Sequence, residues 1–200
     1  MKKYYHRYII TAVLALTACF GVQGQNFDIN TLKNINPDNP SSGYWKTTSA
    51  SAYYIGAGLP VGLWIAGALS SNKETQLNAY ELAGTFLVST IISQGAKRII
   101  RRDRPVASYP DLIHPYEAGN DMRSFPSGHT SVAFATATTL ALEYKKWYIT
   151  VPAYAWAASV GYSRMYLGVH YPTDILGGAA VGIGSGYLNH WLNKKLFRRK

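Results

Sequence analysis

Five apolar stretches, separated by short polar or basic turns, dominate the pattern of hydrophobic and polar positions along the chain. They lack the strict alternation of a half-buried strand, and most exceed the usual strand length of about 4–8 residues. We therefore expect five helices, at about 50–69, 80–95, 130–144, 147–162 and 175–192. Counting an N-terminal apolar segment, the pattern predicts an all-α bundle of about five to six helices.

The N-terminal residues have the order that is typical of a signal peptide. Basic residues within 2–7 precede an apolar run at 8–22, and small residues at 22–24 then offer a cleavage site before Gln25. The apolar run is short for a membrane span, which favours a cleaved signal.

Two other interpretations of this segment stay open. Residues 16–19 resemble a bacterial lipoprotein box that would acylate Cys19, and the segment could also be an uncleaved first transmembrane helix. All three interpretations predict export from the cytoplasm. We divide the chain into 1–24, a signal peptide or first transmembrane helix, and 25–200, a single domain whose polar start at 26–42 is expected to be a loop or linker.

Composition favours a membrane bundle without deciding the matter. Charged residues make up 15% of the 200 residues, against about 25% in a soluble average, and hydrophobic residues make up 48%. Gly and Tyr are plentiful, and several Trp side chains lie near segment ends, where an aromatic belt would lie. The mean hydropathy of -0.08 is low for a membrane protein. We expect a transmembrane bundle, with a soluble bundle of buried helices as the alternative.

The formal charge of +10 is concentrated in two clusters. A tail cluster follows the last apolar segment, as expected for a cytoplasmic flank. The other cluster, at 97–104, overlaps the candidate chemistry and is interpreted as an anion site. Neither forms a long solvated helical stripe, so we exclude nucleic acid as a partner.

Three short blocks between residues 97 and 174 carry that chemistry, and an up-and-down helix order places all three at one end of the bundle. The first block pairs Lys97 with Arg104, which stands beside Pro105. Proline restricts the backbone around it, and two cations at such a turn can clamp phosphate oxygens. A basic run that merely anchors a helix end is the alternative.

The second block, Pro126-Ser127-Gly128-His129, predicts a turn that enters a helix. The N–H groups of Ser127 and Gly128 would point at an oxyanion, helped by the helix N-terminus. His129 at the rim would donate a proton. An ordinary capped helix start is the alternative.

The third block runs from Ser163-Arg164 to His170 and Asp174. Four residues separate the imidazole from the carboxylate, a spacing at which the two meet in a helical turn. Such a contact fixes the tautomer and leaves the other ring nitrogen as a nucleophile.

Together the blocks resemble the signature of the type 2 phosphatidic acid phosphatase (PAP2) superfamily, in its bacterial membrane lipid phosphatase branch. The matching positions are Lys97, Arg104, Pro105, Pro126, Ser127, Gly128, His129, Ser163, Arg164, His170 and Asp174.

The resemblance implies that His170 is the nucleophile and forms a phosphohistidine, that Asp174 orients it, and that His129 protonates the leaving oxygen. The residues implied to bind the phosphoryl oxygens are Lys97, Arg104, Ser127, Gly128 and Arg164.

The resemblance also implies that no metal and no other cofactor is required, which agrees with a sequence that suggests no further group of Asp, Glu and His side chains. We interpret His6 and His190 as structural. His114, in the long loop beside the blocks, is a candidate for substrate contact.

The activity implied is hydrolysis of a lipid phosphomonoester or pyrophosphate. Candidate substrates are lipid A, favoured by analogy, undecaprenyl pyrophosphate and phosphatidylglycerophosphate. We expect the membrane as partner, no obligate protein partner, and the bacterial inner membrane with the site facing the periplasm. The alternatives are a soluble periplasmic broad-specificity acid phosphatase and a lipoprotein anchored through Cys19. The sequence leaves the choice of lipid and the oligomeric state open.

Overall fold

The computed structural model describes residues 27–116 and 123–196, and helices are the regular elements within these ranges. They are α1 (27–35), α2 (Gly43–Leu69), α3 (Lys73–Ile100), α4 (Pro105–Ser108), α5 (Gly128–Tyr144), α6 (Trp147–Tyr166) and α7 (Pro172–Leu196). The predicted targeting segment, with Cys19 and His6, lies outside the described residues.

The predicted all-α bundle is confirmed, and the five predicted helices correspond to α2, α3, α5, α6 and α7. Most are longer than the apolar pattern indicated because polar residues cap and extend them. In α3, the side chain of Asn72 accepts a hydrogen bond from the Thr75 N–H at 3.1 Å and starts the helix well before its apolar part. The same helix ends at Arg101, which adopts a left-handed φ of 52°.

The prediction of a loop or linker at 26–42 is wrong for residues 27–35, which form α1. Polar composition concealed one buried face of this short helix. Leu32 is fully buried and packs with Ile113 and Tyr171. Asp28, about one helical turn before Leu32, is also buried. α1 is therefore docked on the loop that precedes α7.

Helix α5 is the centre of the bundle and packs against α2, α3, α6 and α7. Its buried positions are small residues, mostly Ala, Thr and Ser. Two of the Thr hydroxyls bond within the helix: Thr138 Oγ1 donates to the Phe134 carbonyl at 2.7 Å, and Thr139 Oγ1 donates to the Ala135 carbonyl at 3.0 Å. Small side chains let the neighbouring helices approach closely, as in membrane bundles.

The closest approach is between α5 and a stripe of glycines on α7. A Cβ atom at Gly178 would lie 2.7 Å from the Ser127 carbonyl oxygen, and one at Gly182 would lie 2.4 Å from the Ser131 carbonyl oxygen. Both obstacles are backbone atoms, which cannot rotate away. The close packing of α5 and α7 therefore requires glycine at these two positions, because no larger side chain fits.

Replacing Gly182 with Ala is expected to destabilise the protein by about 1–3 kcal/mol, because α5 and α7 must separate to admit the methyl group. Gly184→Ala is the matched control, since a Cβ atom there meets nothing within 4 Å. Both substitutions raise helix propensity equally, so the control should be neutral or slightly stabilised. Thermal unfolding in detergent measures the difference, and equal melting temperatures for the two variants would contradict the close packing.

The outer surface of the bundle is strongly apolar. Helix α2 is long enough and apolar enough to cross a membrane, and it is the only described helix that is both. Its most apolar 18 residues have a mean hydropathy of 1.4, and 22% of them are buried inside the bundle. Large apolar side chains face outward on α2 and also on α3, α6 and α7. Examples are Tyr54, Val61, Leu69, Leu87, Ile91, Ile99, Trp147, Val151, Leu176 and Trp191.

All three sequence blocks meet at one end of the bundle, as predicted. The C-terminal turns of α3 and α6 and the first turns of α5 and α7 converge there. The short helix α4 and the loop before α5 close this end.

Candidate active site

The N-terminal turn of α5 borders the site. Ser127 is the N-cap and Gly128 the first residue of the helix. First-turn amides lack an intrahelical acceptor and lie at the positive end of the helix dipole. Contrary to our expectation, the Ser127 N–H is not offered to an anion, because it donates to the Asp174 carbonyl oxygen at 3.0 Å. This bond instead fixes α7 to the start of α5, and the Ser127 hydroxyl accepts from Thr130 Oγ1 at 2.9 Å.

Lys97 supports the segment that leads into α5. Its side chain is buried, and Nζ donates to the carbonyl oxygens of Arg123 and Ser124 at 2.7 and 3.2 Å. Its charge therefore lies under the turn that carries Ser127, where it contributes positive potential to the site.

Asp174 is fully buried and is held by several donors. Oδ1 accepts from Arg102 NH1 at 2.7 Å. Oδ2 accepts from the Ser124 hydroxyl and from the Tyr171 N–H, the latter at 2.9 Å. A buried carboxylate with this many donors is stabilised as the anion in a fixed orientation.

Arg102 links Asp174 to a second buried carboxylate, Asp28 of α1. NH2 of Arg102 donates to Asp28 Oδ2 at 2.6 Å, and its guanidinium lies 4.1 Å above the Tyr171 ring. Asp28 also accepts from the N–H and hydroxyl of Thr173, at 2.9 and 2.6 Å. Our interpretation of the basic cluster as an anion site therefore needs correction at Arg102, which binds two carboxylates of the protein itself.

His170 lies in the turn between α6 and α7 and is 2% exposed. Its Nδ1 is 3.5 Å from Asp174 Oδ2, which is longer than a normal N–H···O hydrogen bond. Burial lowers the pKa of His170 to about 3, an effect that the nearby carboxylate opposes but does not overcome. The imidazole is therefore neutral near pH 7, with a lone pair available on one nitrogen.

The turn that carries His170 is fixed by Gly168 and Asn36. Gly168 has a φ of +68°, a left-handed conformation that glycine adopts without strain. Asn36 donates to the carbonyl oxygens of His114 and Tyr166, both at 2.9 Å, and accepts from the His114 N–H at 2.8 Å. These bonds join the segment after α1 to the end of α6 and to the loop that carries His114.

A cleft of about 340 Å³ opens beside these groups. Three of the predicted residues line it: Arg104, His129 and Arg164. Arg164 NH1 donates to Ser49 Oγ at 2.5 Å. The first turns of α2 add Lys46, whose Nζ lies 3.7 Å above the ring of Tyr116, another lining residue. The cleft thus presents several cations to an anionic ligand.

His129 stands at the wall of this cleft, with its ring edge-on to Tyr53 at a centroid distance of 4.6 Å. His114, which we expected as a candidate for substrate contact, instead has Nε2 at 3.6 Å from Asp38 Oδ1 and does not contribute to the lining of the cleft.

The arrangement has the parts that phosphoryl transfer requires. A neutral imidazole faces a buried carboxylate, so Nδ1–H can point at the carboxylate while Nε2 attacks. Arginine forks stabilise charge that develops on phosphoryl oxygens. A second imidazole at the cleft wall is placed to move a proton at the leaving oxygen.

Sequence reasoning missed Asp28, Ser124, Lys46 and Ser49. Of these four residues, only Ser124 had a local signal in the sequence, because it lies next to the second block. The others come from segments predicted to be a linker or to precede a helix, and only the tertiary fold brings them to the site.

Comparisons with known proteins agree with this geometry. A family model described as the PAP2 superfamily matches residues 78–198. The chain is 45% identical over 83 residues to the lipid A 1-phosphatase of Porphyromonas gingivalis, covering 40% of this chain and 18% of that protein. It is 30% identical over 105 residues to the lipid A 4'-phosphatase of Bacteroides thetaiotaomicron, covering 52% of this chain and 46% of that protein. The chain thus spans less than half the length of either relative.

The fold is similar to the crystal structure of Aquifex aeolicus LpxE. The TM-score is 0.64 at 25% sequence identity, and the match covers 82% of this chain and 94% of the other.

Proposed function

Because this chain belongs to the PAP2 superfamily, we propose that it hydrolyses the phosphoryl group of a membrane lipid phosphate through a phosphohistidine on His170. The observation that carries the proposal is one juxtaposition. The buried couple of His170 and Asp174, whose Nδ1 and Oδ2 are 3.5 Å apart, adjoins a cleft lined by Arg104, His129 and Arg164.

In the first step, Nε2 of His170 attacks phosphorus and the bond from phosphorus to the lipid oxygen breaks. Burial and the charge of Arg164 lower the pKa of His129. The anionic phosphate bound beside His129 opposes this effect, so His129 takes up a proton with the substrate and gives it to the lipid oxygen. The imidazole of His170 becomes positive in the covalent adduct, and the anionic Asp174 stabilises this charge. Arg104 and Arg164 bind the equatorial oxygens, where negative charge is spread in the transition state.

In the second step, His129 accepts a proton from water as the water oxygen attacks phosphorus. The phosphorus–nitrogen bond breaks, inorganic phosphate leaves, and both imidazoles return to their starting protonation states. The cations that neutralise phosphoryl charge are side chains throughout, so the scheme requires no metal ion.

The surface of the bundle supports a lipid as the substrate and a membrane as its location. An open groove of about 430 Å³ between α2 and α3 is lined by apolar residues that include Pro60, Trp64 and Phe86. Tyr53 connects this groove to the site, because its ring contacts Phe86 at 6.3 Å and His129 at 4.6 Å between centroids. An acyl chain in the groove would place its head group near the cations.

Among lipids we favour lipid A, since two relatives act on it by name, ahead of undecaprenyl pyrophosphate and phosphatidylglycerophosphate. The site would face the periplasm from the inner membrane, with the basic C-terminal end in the cytoplasm. A soluble acid phosphatase is the second candidate, but the outward-facing apolar side chains of the long helices disfavour it.

Phosphate release by the full-length protein in detergent tests the proposal. The panel contains lipid A, undecaprenyl pyrophosphate, phosphatidylglycerophosphate and the soluble ester p-nitrophenyl phosphate. We expect at least one lipid to be hydrolysed at least about tenfold more efficiently than the soluble ester, at an initial rate that EDTA leaves unchanged. A soluble, detergent-free protein that prefers the soluble ester would replace this proposal with the acid phosphatase, and immediate inhibition by EDTA would overturn the metal-free scheme.

A further inference from the structure

A second group of titratable side chains lies away from the cleft. His190 Nδ1 of α7 is 2.7 Å from Glu81 Oε1 of α3 and 3.1 Å from Glu143 Oε1 of α5. We call these three residues the distal cluster. The nitrogen and the two oxygens lie within 4.8 Å of one another, so three helices direct one ligand atom each to a common point.

The distal cluster is far from the catalytic groups. Each of the three helices also carries one residue of the candidate site, and the helical rise separates the two residues by about 21–24 Å. The pairs are Glu81 and Lys97 on α3, Glu143 and His129 on α5, and His190 and Asp174 on α7. The cluster is therefore at the opposite end of the bundle and takes no part in phosphoryl transfer.

Both carboxylates are withdrawn from solvent, because the side chains of Glu81 and Glu143 are 0% and 3% exposed. Buried charges are costly unless they are paired or coordinate a metal. A divalent cation that binds all three ligand atoms would stabilise both carboxylates.

Neighbouring side chains hold Glu81 in position. Asn193 Nδ2 donates to Glu81 Oε2 at 2.6 Å, which leaves Oε1 directed at His190. Asn189 Nδ2 donates to the Glu81 carbonyl and to Thr85 Oγ1, both at 2.9 Å. Hydrogen bonds of this kind orient the ligands of metal sites.

We propose that the distal cluster binds a divalent transition-metal ion, Zn²⁺ or Mn²⁺, through Glu81 Oε1, Glu143 Oε1 and His190 Nδ1. An imidazole nitrogen with two carboxylates suits these ions, whereas Mg²⁺ and Ca²⁺ favour all-oxygen sites. Ligand atoms that share a tetrahedral ion at about 2.1 Å lie roughly 3.4 Å apart. The distances from His190 Nδ1 to Glu81 Oε1 and Glu143 Oε1, 2.7 and 3.1 Å, would therefore each lengthen by less than about 1 Å.

The ion would stabilise the bundle. It would clamp α3, α5 and α7 to one another, and these helices carry the catalytic residues at their other ends. A ligand role would extend the interpretation of His190 as a structural residue, and spacing along the sequence does not reveal that role.

The test uses full-length protein in detergent, stripped with EDTA and then freed of it. We expect one equivalent of Zn²⁺ or Mn²⁺ to bind, counted by mass spectrometry of the metal, and the melting temperature to rise by about 5–10 °C at 100-fold excess over Kd. The initial rate of phosphate release should stay the same. Metal binding and the rate of phosphate release are measured separately. A protein that binds no ion would contradict the metal site, whereas the rate alone tests the proposed function.

Variants make the assignment specific. Glu143→Gln should weaken binding by at least tenfold, and Asn193→Ala, which removes only a contact to Glu81, should weaken it by about 10–100-fold. His114→Gln, which removes an exposed imidazole near Asp38, is the control and should bind like the wild type. If the wild type binds no ion, or if Glu143→Gln and Asn193→Ala both bind like the wild type, the proposal is overturned and His190 is a hydrogen-bonding residue only.

Discussion

Replacing His170 with Gln is expected to lower phosphate release from the preferred lipid by at least about 10⁴-fold. Removal of a covalent nucleophile costs up to about 10⁶ in kcat in other enzymes, because no other group in the site can form the intermediate. Gln is neutral and of similar size, so it suits a position where the imidazole is 2% exposed. Steady-state release measures the loss, and a melting curve checks that the variant is folded.

Trapping of the intermediate distinguishes a nucleophile from a merely structural histidine. Wild type, mixed with substrate carrying a radiolabelled phosphoryl group and quenched in alkaline detergent, should retain a base-stable label that acid removes and that His170→Gln lacks. His114→Gln serves as the matched control and should keep both label and rate, since His114 lies beside Asp38 and away from the cleft lining. A folded His170→Gln enzyme with more than about 1% of wild-type activity would refute the nucleophilic role.

His129→Gln is expected to lower turnover of the lipid substrate by about 10²–10⁴-fold, the usual contribution of a general acid. The loss should be smaller for the first step with p-nitrophenyl phosphate, because nitrophenolate leaves without a proton. Hydrolysis of the adduct still needs His129 to activate water. Stopped-flow measurement should therefore reveal a burst of about one nitrophenolate per enzyme, followed by a slow steady state.

Tyr53→Phe is the control for this experiment. It keeps the ring that packs against His129 at a centroid distance of 4.6 Å and removes only the hydroxyl, so it should stay within a few-fold of wild type. If His129→Gln slows both substrates equally and gives no burst, His129 positions the substrate and does not transfer a proton.

Much of the fold and of the site could be predicted because the responsible signals are local. Apolar runs indicate helices. A short spacing such as that between His170 and Asp174 brings the two side chains together wherever the same turn forms. Helix order then places the blocks at one end. Of the residues predicted to bind phosphate, Arg104 and Arg164 line one cleft together with His129. Lys97 and the Ser127 N–H instead bind carbonyl oxygens of the protein.

The remaining features depend on contacts between residues far apart in the chain. Asp28 meets Arg102 from a segment whose polar composition concealed one buried face. Lys46 and Ser49 reach the cleft because α2 begins at Gly43, earlier than its apolar part. Glu81, Glu143 and His190 meet only after three helices are aligned. No local spacing encodes such meetings, so residue patterns alone could not predict them.

The link from Asp28 through Arg102 to Asp174 has a consequence for chimeras between relatives. Asp28 precedes the region that the family model matches. A chimera designed from that region alone would therefore exchange Asp28 along with the rest of the N-terminal segment. In this chain Arg102 joins Asp28 to Asp174, the carboxylate that we propose orients the nucleophilic imidazole. The boundary of the functional unit therefore lies upstream of its recognisable motifs, and grafts should carry α1 together with the bundle it supports.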